Sequence, residues 1–132
     1  MTLHPSPFLR RALAADALAS GATGLLVALG AGLLERLLAL PAELLLYAGV
    51  ILLPYAAAVG WLASRPAVSG PAIWAVIACN AAWAADSILL LLSGWVAPSA
   101  LGYAFVIAQA LVVAAFAELE FMGLRRSAPA MA

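Results

Sequence analysis

The chain has 132 residues, six basic and six acidic side chains and no formal net charge, yet 67% of it is hydrophobic and only 9% charged. With a mean hydropathy of +1.13 it lacks the polar exterior that a soluble domain of this length needs, and its charges gather near the ends of four long apolar stretches. Zero net charge and the absence of a basic run exclude nucleic acid as a partner and a polybasic lipid clamp. The partner these stretches imply is the lipid bilayer. The single cysteine, Cys79, excludes an intrachain disulfide and a paired-cysteine metal site. The single histidine, His4, excludes a Ser/His/Asp triad within the spans, and no glycine-rich phosphate loop is present, so no enzyme, cofactor or metal is expected.

In chain order, residues 1–12 read as a cytoplasmic leader, frayed and containing Pro5 and Pro7. The apolar run over 13–34 follows Arg10 and Arg11 and is too long for a signal-peptide core, so it reads as a retained first span. Residues 37–40 suggest a short surface helix before Pro41. A second span covers 44–63, with a bend at Pro54. The stretch Ser64–Pro71 is a loop, because two prolines and a glycine forbid a continuous helix. A third span covers 72–93, a tight turn containing Pro98 follows, a fourth span covers 100–123, and 124–132 form a disordered tail. The fold class is therefore all-α: a polytopic membrane protein, a four-transmembrane-helix bundle within one domain over 13–123.

Orientation follows from arginine, since the chain has no lysine. The N-terminus, second loop and C-terminus hold Arg10, Arg11, Arg65, Arg125 and Arg126, and the opposite side holds only Arg36. The positive-inside rule puts both termini in the cytoplasm, N-in/C-in, in a bacterial inner (plasma) membrane.

Two kinds of residue stand out. Ser20, Gly24, Ala28 and Gly32 follow Asp16 at spacings of four along one helix ridge, which lets another backbone come close, in this chain or in a second copy. Ala78, Ala82 and Asp86 form a second such row, and the two rows are expected to face each other. Thr23, Tyr55, Asn80 and Gln109, one from each span, count to the bilayer midplane and form either an interhelical hydrogen-bond layer or the lining of a transport path. Asp86 is costly in hydrocarbon, so it is expected to face the bundle on the broad side it shares with Asn80, held by Tyr47 or Tyr103. Asp16, Glu118 and Glu120 are expected in interfacial ion pairs with the arginines near the termini.

Asp16-Ala-Leu-Ala-Ser-Gly-Ala, Asn80-Ala-Ala-Trp83, Leu92-Ser-Gly-Trp95-Val-Ala-Pro98 and the ending Gly123-Leu-Arg-Arg together resemble a group of small uncharacterised bacterial integral membrane proteins. That resemblance implies four helices and supplies no activity. Small multidrug-resistance transporters are similar in span number and length but carry a glutamate in the first helix where Thr23 stands here, and the polar pore track of small dimeric fluoride channels does not align. The function expected is a non-enzymatic accessory or structural membrane subunit, self-associating or built into a larger membrane complex. The alternative is a small oligomeric transporter or channel using Asp86 and the midplane polar residues.

Overall fold

The computed structural model describes residues 1–129, and the end of the expected tail, 130–132, lies outside the described residues. Five helices follow one another: α1 (Pro7–Leu29), α2 (Ala31–Leu38), α3 (Ala42–Ser64), α4 (Gly70–Leu92) and α5 (Ala100–Arg125). All but α2 are long and apolar enough to cross a membrane.

Serines start three of them. Ser6 Oγ accepts from Leu9 N with Pro7 just inside the helix, Ser69 Oγ caps Ala72 N ahead of α4, and Ser99 Oγ caps Gly102 N in α5. No side chain caps α3 from its own first turn; the Glu35 carboxylate of α2 accepts from Ala42 N at 2.7 Å instead. α1 begins six residues before the expected 13 and ends at Leu29 with Gly30 as its C-cap, so residues 31–34 belong to α2 rather than to the first span. α3 continues through Pro54, whose missing N–H frees the Val50 carbonyl.

The leader is not frayed. Three short strands, β1 (Thr2–His4), β2 (Val68–Ser69) and β3 (Ala128–Pro129), form an antiparallel sheet in the order β2-β1-β3. The leader, the α3–α4 loop and the start of the tail therefore meet at one end of the bundle, and Ser6 N donates to Ser127 Oγ at 2.9 Å. Leu3 and Val68 carry this sheet onto a core of Leu9, Leu13, Val59 and Ile73. At the far end a second core joins Val27, Leu38, Leu40, Leu45 and Val106.

The helices pack as two tight pairs, α1 on α3 and α4 on α5, joined mainly where α1 meets α5. Gly49 makes the first pair close: a Cβ there would stand 2.6 Å from the Gly24 carbonyl oxygen and 2.9 Å from Ala28 N. Gly123 does the same between α5 and α1, its missing Cβ lying 2.7 Å from the Leu9 Cα. In lipid, such contact is the main source of helix attraction, because apolar side chains gain nothing by leaving one hydrocarbon for another.

Candidate functional site

Most of the ridge of small residues on α1 is consumed inside the chain. Gly24 packs on Gly49 and Leu52, and Ala28 lies against Gly49, while Gly32 sits in α2 with open space beside it. The second row behaves differently: Ala78, Ala82 and Asp86 are all exposed on α4, so the two rows do not face each other as expected.

The turn on which Asp16 sits instead points into the bundle. Asp16 and Glu120 are both 0% exposed and Asn80 is 4% exposed. Asp16 Oδ2 accepts from Tyr55 Oη at 2.9 Å and from Asn80 Nδ2 at 2.9 Å, and Asp16 Oδ1 accepts from Ser20 Oγ at 2.9 Å. The second amide hydrogen of Asn80 goes to Glu120 Oε1 at 2.7 Å. Each long helix thus supplies one member: Asp16 from α1, Tyr55 from α3, Asn80 from α4 and Glu120 from α5. Glu120 Oε2 is buried without a partner among the described residues.

This corrects the expected ion pairs. Arg10 donates to the carbonyls of Ala63 and Arg65 at 2.6 and 3.0 Å. Arg65 stacks over Trp61, Arg125 over Phe121 and Arg126 over Phe8. Glu118 is exposed. Two carboxyl groups thus share a buried site that holds no cation among the described residues.

The Tyr55 hydroxyl stands between two acceptors. It lies 2.9 Å from Asp16 Oδ2 and 3.0 Å from Asn80 Oδ1 but has one hydrogen to give. With Asp16 ionised, the hydroxyl donates to the carboxylate; with Asp16 protonated at Oδ2, the acid donates to Tyr55 and the hydroxyl turns to Asn80 Oδ1.

The four residues expected in one midplane layer divide between two groups. Tyr55 and Asn80 join the acid pair. Gln109 lies farther along, where its Oε1 accepts from Trp83 Nε1 at 2.9 Å and its Nε2 donates to Ser87 Oγ at 2.9 Å. Thr23 lines two cavities. One, of about 140 Å³, lies between Ser20, Thr23, Trp83, Gln109 and Phe116. The other, a cleft of about 310 Å³ toward the far end, runs between α3 and α4. The cavities share Thr23, Leu52, Trp83 and Gln109 as walls. Polar groups and voids thus follow one another from the cleft to Ser20, which holds Asp16.

Asp86 lies on the wall of the larger cleft. It is exposed rather than turned with Asn80 into the bundle, and neither Tyr47, 65% exposed, nor Tyr103, 41% exposed, bonds to it among the described residues. Six residues separate it from Leu92, so it lies only about 9 Å below the far end of α4, where a carboxylate costs less than at the midplane. Among the described residues no group of three or more His, Cys, Asp or Glu could hold a metal ion.

No family model, no curated protein and no solved structure matches the chain. The four long apolar helices define it as a helical protein fit for several membrane crossings.

Proposed function

We propose that the chain is a small non-enzymatic carrier of a bacterial inner membrane, with both termini cytoplasmic, in which the Asp16–Glu120 pair takes up and releases a proton during transport. The observation that carries this reading is the second acid. A structural tie of α1 to α3 and α4 is complete with Asp16 alone, which already accepts from Tyr55, Asn80 and Ser20, and joining α5 to Asn80 takes only one acceptor oxygen. Glu120 adds a buried oxygen with no donor, a burden for stability and an asset for holding a proton. The chain of cavities toward the far end supports the same reading.

Infrared titration of the protein in liposomes tests it. Wild type should show a protonated-carboxyl band at neutral pH that weakens in Asp16→Asn and disappears in Asp16→Asn/Glu120→Gln. A spectrum without that band, or a band the double variant keeps, would overturn the proton site.

One observation favours the second reading, an accessory or structural subunit that associates with itself or joins a larger complex. The row Ala78, Ala82 and Asp86 is exposed along α4, and such a small-residue face suits another helix. Under this reading Asp86→Asn changes oligomeric mass in mild detergent and leaves the carboxyl band alone. Unchanged mass in Asp86→Asn and in Ala82→Leu would count against it.

A further inference from the structure

We infer that the cleft between α3 and α4 is a binding site for a small lipophilic organic cation, with Asp86 as the counter-ion. The inference names the solute class for the proposed carrier and in that sense rests on that reading, although binding itself needs only the cleft.

The cleft offers about 310 Å³, the low end of the range that takes small organic ligands. Its walls are mostly aliphatic, with the aromatic rings of Trp83 and Phe105 added, and they favour a ligand with a large apolar body. Asp86 is the one charged side chain among the lining residues, and no arginine is there to neutralise it. An unpaired carboxylate beside aromatic rings and apolar walls selects a cation over a neutral molecule of the same shape, and an anion is repelled. The charge must also be weakly hydrated, since a strongly hydrated ammonium or metal ion would lose more water than a single carboxylate replaces. A quaternary ammonium meets both conditions.

The floor of the cleft connects the two sites. Trp83 and Gln109, bonded to each other at 2.9 Å, form a wall shared with the smaller cavity that reaches Ser20. A cation seated against Asp86 lies on the side of the bundle from which the two cavities lead to Ser20, the Asp16 partner. Charge balance then gives the coupling its sign: arrival of a positive charge favours departure of the proton from the acid pair.

The probe is benzyltrimethylammonium, and the control is neopentylbenzene, its uncharged isostere. Calorimetric titration of the protein in detergent should show the cation binding to wild type and losing affinity on the order of tenfold in Asp86→Asn, an exposed side chain with no hydrogen bond among the described residues. Neopentylbenzene should bind more weakly than the cation and be indifferent to Asp86→Asn. Ala48→Phe, which fills the cleft without changing charge, should weaken both ligands. Equal binding of cation and isostere, or cation affinity unchanged in Asp86→Asn, would overturn the site. A pH dye in weakly buffered solution reads the proton separately. Proton release on cation binding that disappears in Asp16→Asn/Glu120→Gln supports both proposals, whereas binding without release leaves the cleft standing and removes the coupling.

Discussion

At the scale of single residues, the acid pair makes opposite demands on two substitutions of Asp16. Asn keeps one acceptor oxygen for Tyr55 and Asn80, turns its amide NH2 to Ser20 Oγ as a donor and carries no charge, so Asp16→Asn should fold with little loss of thermal stability. Ala leaves one Asn80 hydrogen without its acceptor inside the bundle, while the Tyr55 hydroxyl turns to Asn80 Oδ1, and the unsatisfied group costs roughly 1–3 kcal/mol. Thermal unfolding in one detergent should therefore rank wild type and Asp16→Asn together, well above Asp16→Ala; equal melting of all three would mean that the network contributes nothing. The sequence made Tyr55 and Asn80 legible as interior polar residues but placed Thr23 beside them where Asp16 belongs. The cause is where the first helix begins. Counted from 13, Thr23 is ten residues deep, but α1 begins at Pro7, so Asp16 is nine residues in, matching Tyr55 nine residues from Ser64 and Asn80 ten from Gly70. At about 1.5 Å per residue, all three lie about 14–15 Å from the terminal end. The signal was present: Ser6 followed by Pro7 is a helix start, with an N-cap serine and a proline at the first helical position. Hydropathy alone hides it, because Arg10 and Arg11 interrupt the apolar run without interrupting the helix.

At the scale of elements, the spacing of four on α1 was readable, while its partner was not. Sequence periodicity fixes which side chains share a face of one helix and says nothing of which helix approaches it. Gly49 is the residue that decides, since its neighbours across the contact are backbone atoms of α1 that cannot move aside alone. Gly49→Leu should separate α1 from α3 and cost about 1–3 kcal/mol or more, whereas Gly32→Leu, with nothing within 4 Å of the added Cβ, should be close to neutral. Gly24→Leu falls between them: its Cβ meets Leu52 Cβ at 3.1 Å and the Gly49 carbonyl at 3.2 Å, so both side chain and backbone must give. Differential scanning calorimetry of the three variants checks the order, and a Gly32 variant as damaged as the Gly49 variant would refute the assignment of the contact. Asp86 was misplaced for the same reason as the ridge partner. Its 120° from Asn80 was read as one broad face, but with α3 and α4 standing apart that arc spans both the bundle interior and the cleft.

At the scale of the whole molecule, the sheet ties the N-terminal strand to the segment after α5 at one end of the bundle, which is where four crossings would put both. On the proposed orientation, which puts the arginine-rich side in the cytoplasm by the positive-inside rule, a reporter fused after Arg126 should read cytoplasmic and one inserted near Ala97 should read outside. The reverse result would exchange the sides of the proton pair and the cleft without altering either. The sheet makes a sharper prediction, because β1 is its central strand and lies between partners that come from the α3–α4 loop and the C-terminal segment. Leu3 is 6% exposed and plugs the core that separates Asp16 from the terminal end through Leu9 and Leu13. Removing residues 1–5 deletes the strand and this plug while leaving the Ser6 cap and all of α1 in place. The bundle should still assemble, since its helix contacts lie elsewhere, but the carboxyl pair should become open to water from the terminal end. Deuterium exchange at the pair, followed by its infrared band, should then be faster in the truncated protein than in wild type, and Leu3→Ala should give an intermediate rate. Equal exchange rates in all three would show that the sheet only fastens the chain ends. Faster exchange would identify it as the seal that keeps the proton site closed on one side, the condition under which a cleft open on the other can drive directional release.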